Sequence, residues 1–134
     1  MKLLKILGVI ILILVVIFVV GSFFLPKTYS VSRSAVINAP DSVIYKDIAD
    51  YHEFYKWNVW SKMDPQAKVT VTGAVAQPGH LYQWDGKESG KGQMKINTVE
   101  PNKMVDMELK FLKPMESTAD TRFDITPEGM GNKV

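Results

Sequence analysis

A run of about twenty residues without a charge, Ile6 to Leu25 (ILGVIILILVVIFVVGSFFL), constrains this chain more than any other stretch. A helix needs about 20 apolar residues to cross the hydrocarbon core of a bilayer. Lys2 and Lys5 precede the run, and Pro26 and Lys27 close it. The apolar part of a cleaved signal peptide is shorter, about 7–15 residues, and ends at a small-x-small site. The one candidate for that site is Val20-Gly21-Ser22, and with no cysteine in the chain a lipobox is excluded. The run is apolar all round, and no second segment of similar length could bury it in a globular core. An uncleaved anchor over residues 1–26 is expected, with an atypical signal peptide as the alternative. Positive charge stays on the cytoplasmic side. Lys2, Lys5 and the terminal amine stand before the anchor, Lys27 and Arg33 after it. That small bias places the N-terminus in the cytoplasm and the rest of the chain outside. Gly8 and Gly21 are too far apart for a GxxxG packing motif.

Residues 27–134 suffice for one small domain. Lys2 and Lys5 account for the whole excess of 16 Lys and Arg over 14 Asp and Glu. The domain is therefore neutral and gives no electrostatic case for nucleic acid. The lack of cysteine excludes disulfides, thiol catalysis and cysteine metal sites.

Past the anchor, Thr28–Ile37 (TYSVSRSAVI) alternates, with Tyr29, Val31, Arg33, Ala35 and Ile37 on one face, and predicts a first strand. Pro40 and Asp41 suit a helix start. Ile44, Ile48, Tyr51 and Tyr55 then recur at helical spacing, with a break near Tyr51-His52 and a second short helix through Phe54–Trp57. Trp57-Asn58-Val59-Trp60-Ser61 is expected to end the helical part, and Met63-Asp64-Pro65 to be a turn. Strands follow at 68–72, 80–84, 92–98, 104–111 and 118–126, separated by turn signals such as Pro78-Gly79 and Asp85-Gly86. This spacing is that of an antiparallel meander.

Alternation puts Tyr82, Trp84, Met94, Ile96, Val105, Met107, Leu109, Phe111, Phe123 and Ile125 on one face. Gln93, Lys95, Asn97, Asp106, Glu108, Lys110, Asp120, Arg122 and Asp124 take the wet face, where cross-strand ion pairs are expected. Two short helices cannot cover so many strands alone. The chain stops at Gly131-Asn132-Lys133-Val134, a turn and the first residues of another strand, so a domain incomplete at its C-terminus is expected, lacking a closing strand and a long covering helix.

These pieces in this order resemble the START-like, helix-grip superfamily, often labelled SRPBCC or polyketide cyclase/dehydrase. Ile37-Asn38-Ala39-Pro40 with Val43 is similar to its strand–helix junction, and Trp57-Asn58-Val59-Trp60-Ser61 to its W-x-x-W-S segment. Tyr82-Gln83-Trp84-Asp85-Gly86 followed by Gly90-Lys91-Gly92-Gln93-Met94-Lys95-Ile96 resembles its hairpin. Phe111 with Pro114, and Gly131-Asn132-Lys133-Val134, resemble its later pieces; the likeness covers residues 28–134 and departs at Lys62 and Asn132. It implies an α+β fold with a deep cavity between sheet and long helix, holding an apolar ligand such as a lipid, sterol or polyketide.

Catalytic signatures are thin. His52-Glu53-Phe54-Tyr55-Lys56 begins like H-E-x-x-H, but Lys56 stands where the second histidine belongs, so no metal is expected. Gly90-Lys91-Gly92 lacks a third glycine and precedes a strand. The Trp57/Trp60 pair is expected to clamp helix to sheet. Three readings stay open. The leading one is a membrane-anchored binding module for an apolar small molecule or lipid, without cofactor, its cavity lined by Tyr82, Trp84, Met94, Ile96, Met107, Leu109 and Phe123. The second is a cyclase/dehydrase- or hydrolase-type enzyme using polar groups in that cavity, for which Arg33, Tyr82 and Tyr29 are the candidates. The third is an envelope protein gripping a protein partner in the same groove.

Overall fold

The computed structural model describes residues 2–134, which fall into two compact units, one ending at Arg33 and the other running from Ser34 to Val134. In the first, helix α1 (Lys2–Phe23) holds nearly all of the uncharged run and buries none of its side chains. It starts a turn earlier than the uncharged run because Lys2 and Lys5 are good helix formers. At about 1.5 Å per residue it is about 33 Å long, enough to span a bilayer.

The second unit is α+β. Strand β1 (Val36–Ile37) leads into helices α2 (Asp41–Ala49), α3 (Tyr51–Trp57) and α4 (Val59–Met63). Strands β2 (Lys68–Thr72), β3 (Leu81–Gly86), β4 (Gly90–Glu100), β5 (Met104–Lys113) and β6 (Ser117–Asp124) form an antiparallel sheet in sequence order. Strands β7 (Thr126–Glu128) and β8 (Gly131–Lys133) join β1 in a second sheet ordered β1-β8-β7.

The first strand is much shorter than its alternation predicts. Val36 and Ile37 pair with Lys133 and Asn132, and Ala35 exchanges two 3.0 Å backbone bonds with Val134. Tyr29 and Val31 lie exposed outside the ladder. Alternation shows which face a strand would bury, but a strand exists only where a second backbone accepts its hydrogen bonds.

The helices turn on two extended residues. Asp50 (φ −96°, ψ 107°) ends α2 and caps α3, its carboxylate accepting from the His52 N–H. Asn58 (φ −65°, ψ 145°) does the same between α3 and α4, its Oδ1 accepting from the Ser61 N–H at 2.9 Å. The second cap starts a helix at Val59 where a termination was expected; asparagine is among the strongest N-caps. The break at Asp50 also resets the helical phase. Ile44, Ile48 and Tyr51 are buried as expected, but Tyr55 is exposed and Phe54 packs on the core in its place.

The core joins α2 and Tyr51 to the sheet residues Tyr82, Met94, Ile96, Val105 and Met107, with Ile125. Tyr82 faces Met94, Met94 faces Leu109, and Ile96 faces Met107. Irregularities at Lys91/Gly92 and Ile96/Thr98 shift the β4–β5 register. The wet-face charges pair differently from the expectation: Arg122 binds Asp124 on its own strand at 2.8 Å, and the cross-strand pair at 3.1 Å is Lys91 with Asp85, outside that set.

Candidate functional site

The concave face of the meander and the helices α3 and α4 enclose a cavity of about 400 Å³. Tyr82 and Trp84 on β3, Met94 on β4, Met107 and Leu109 on β5 and Phe123 on β6 all line it. Ile96 does not. Its backbone N–H donates to the His80 carbonyl and its own carbonyl accepts from Gly79, which extends the β3–β4 pairing past Leu81, and it is fully buried in the core. The opposite wall was not legible from strand alternation: Phe54 and Asn58 on α3 and its cap, then Trp60, Ser61 and Met63 on α4. Trp57 and Trp60 do not clamp helix to sheet. Trp60 is 65% exposed at the cavity wall, and Trp57 meets Phe54 edge-on at 4.8 Å while its indole N–H donates to the Asp47 carbonyl.

An aromatic ladder runs through the site. Tyr82 lies 5.9 Å from Tyr51, 6.3 Å from Phe54 and 6.0 Å from Trp84, and Phe111 stands edge-on to Trp84. Gly92, directly opposite Trp84, makes room for the indole; a Cβ there would run into its six-membered ring and the Lys110 carbonyl. The Trp84 indole N–H donates to the Ser89 carbonyl at 3.2 Å, which fixes the ring's orientation.

One corner is polar. Asn58 donates to the Phe54 carbonyl at 3.1 Å, and the Ser61 hydroxyl lies 2.7 Å from the Tyr55 carbonyl. Asp64, 6% exposed, follows α4 and reaches the β3–β4 turn. Its Oδ2 accepts from the Glu88 N–H, the Ser89 N–H and the Ser89 hydroxyl at 3.0, 3.0 and 2.9 Å. Gly86 is what lets it in, since a Cβ there would meet that oxygen. The Ser89 N–H, with the hydroxyl and the Glu88 N–H, lowers the Asp64 pKa against the opposing effect of desolvation, so the carboxylate is ionised. Burial pushes the Tyr82 phenol up, with Asn58 opposing, so it stays protonated at neutral pH. Of the enzyme candidates, Tyr29 and Arg33 belong to the other compact unit and Tyr82 alone lines the cavity.

The structure also gathers Asp50, His52 and His80, whose ligand atoms lie within 4.8 Å of one another. His80 is already committed. Its Nε2 accepts from the Tyr51 N–H at 3.1 Å and its Nδ1 faces the Thr72 carbonyl at 3.1 Å, which assigns the proton to Nδ1. An ion would find only Asp50 and His52 free to ligate, and those two already contact each other at 3.0 Å.

No family model and no curated protein matches the chain. Among solved structures it is similar to the crystal structure of protein Ms6760 from Mycobacterium smegmatis, with a TM-score of 0.51 and 21% sequence identity over 75% of this chain. The match spans 64% of the length of that protein. At this identity the likeness concerns the fold alone: an α+β domain built on a five-stranded antiparallel sheet.

Proposed function

We propose that this chain is a START-like, helix-grip binding module for an apolar small molecule or lipid, held at a membrane by α1 with its N-terminus in the cytoplasm. The observation that carries the reading is the cavity. Its volume of about 400 Å³ lies in the roughly 300–1,000 Å³ range of small-molecule sites, and aromatic, methionine and aliphatic side chains make most of its wall. Methionines at 63, 94 and 107 suit it to ligands of irregular shape, because their side chains repack easily. The strand, helices and meander of this unit follow the order of the START-like pattern. Of the polar groups in its lining, the Tyr82 phenol is kept neutral by burial, and Asn58 and Ser61 are tied to backbone carbonyls.

The test is native mass spectrometry of the full chain purified in lipid nanodiscs, beside the variant Leu109→Trp, which fills the cavity from the sheet side. A lipophilic compound is expected with the wild type and absent from the variant. Equal amounts of the same compound with both would show that the cavity is not its site.

A further inference from the structure

Resting on the binding-module reading, we infer that the ligand is an apolar body carrying a positively charged hydrogen-bond donor, an amine, and that the cavity refuses carboxylates and phosphates. The cavity lining holds two carboxylates, Asp64 and Glu88, and no Lys, Arg or His. Lys62, on the same helix as Trp60 and Met63, stays outside the lining. An anionic head entering this wall would lose its hydration, meet like charge and find no counterion. Lone fatty acids and phospholipid headgroups are therefore poor occupants.

Asp64 is the group that reads the head. All three of its hydrogen bonds fall on Oδ2, and Oδ1 has no partner among the described residues. Oδ1 is not sealed in either, because no buried side-chain oxygen among them lacks a partner. The wall thus holds a carboxylate fixed by the Glu88–Ser89 turn through one oxygen, with the other left without a protein partner among the described residues. Its negative charge is maintained by those same bonds. An ammonium group supplies what that oxygen lacks, a charge-assisted donor, while the hydrocarbon body lies against Trp84, Met94 and Leu109. A neutral hydroxyl offers the donor without the charge and ranks second.

Three probes with one hydrocarbon body separate these cases: 1-adamantylamine, 1-adamantanol and 1-adamantanecarboxylate. The full chain, labelled with 5-fluorotryptophan and held in phosphatidylcholine nanodiscs, gives a ¹⁹F signal for each of its 3 tryptophans. Trp60 and Trp84 line the cavity and Trp57 does not, so Trp57 reports non-specific partitioning into the lipid. The amine is expected to move the Trp60 and Trp84 signals at a concentration at least about tenfold below the carboxylate, with the alcohol between them. In Asp64→Asn the amine should fall to the level of the alcohol, while Glu88→Gln keeps most of the preference. Binding of the carboxylate as tight as the amine would overturn the inference and leave the binding module standing. An amine preference that survives in folded Asp64→Asn would overturn the role given to Asp64. Silence of Trp60 and Trp84 toward all three probes would overturn the binding reading itself. Should Asp64→Asn fail to fold, the wild-type ranking and Glu88→Gln still decide the charge preference.

Discussion

The backbone N–H of Tyr51 donates to the Nε2 of His80 at 3.1 Å, and the two rings stack 4.7 Å apart at 11°. Tyr51 is the first residue of α3, where a helix leaves its N–H groups without intrahelical partners. A fully buried histidine immediately before β3 supplies the partner. His80→Ala would orphan both this N–H and the Thr72 carbonyl, each at a cost of about 1–3 kcal/mol. We expect a loss of roughly 3 kcal/mol or more, read as a lower melting temperature of the full chain in nanodiscs. His52→Ala, which removes a largely exposed ring paired with Asp50 and tilted against His80 at 6.1 Å, should cost less than about 1 kcal/mol. Equal effects from the two substitutions would contradict the capping role of His80.

Gly92→Ala tests the floor of the cavity. The added methyl would meet the Trp84 ring and the Lys110 carbonyl, so the indole must move. Overpacking of this kind costs about 1–3 kcal/mol. The variant should be less stable and show a shifted Trp84 fluorine resonance, with the Trp57 resonance in place.

Acid should weaken the fold through two anchored carboxylates. The Ser89 N–H is the main cause of the lowered Asp64 pKa. At Asp50, burial works against the charge, but the His52 N–H and ring outweigh it and its pKa is also lowered. In both cases the folded value lies below the unfolded one of about 3.9. The unfolded chain therefore takes up the proton first as pH falls. Their stabilisation is complete well above about pH 4 and is lost as pH drops through the folded-state values. Thermal melts between pH 7 and pH 3 should fall off at the acid end. Asp64→Asn should start lower and show a smaller acid loss; an unchanged acid limb would mean that Asp64 does not contribute.

The anchor is testable because the chain has no cysteine. The protein should stay in the membrane fraction after alkaline washing, and a soluble form beginning near Phe23 would show cleavage instead. Met130, exposed at the β7–β8 turn, can carry a single reporter. Met130→Cys should react with a membrane-impermeant maleimide added to intact cells if the domain lies outside. Labelling only after lysis would reverse the orientation.

Local patterns carried a good part of the architecture. Period-two alternation put Tyr82, Met94 and Met107 on one face, and the register brings Tyr82 opposite Met94 and Met94 opposite Leu109. This works because side chains on a strand must alternate and a half-buried sheet must sort them by polarity. The uncharged run over Ile6–Leu25 was readable for a similar reason, since a helix long and apolar enough to cross a bilayer needs only length and composition.

What the pattern could not show depends on partners far along the chain. Residues 28–35 alternate as well as any strand, yet the ladder begins at Val36, where β8 supplies a backbone. Asp64 reads as a turn residue until folding brings the Glu88–Ser89 turn, 24 and 25 residues away, onto its carboxylate. His80 reads as an isolated histidine until it caps a helix 29 residues upstream. Sequence alone determined which face of the meander is apolar and that one helix suits a bilayer, because these follow from each residue and its near neighbours. Only the tertiary structure decided which polar groups are satisfied and which carboxylate stands in the cavity wall, because hydrogen bonds and burial are properties of pairs that chain order does not bring together.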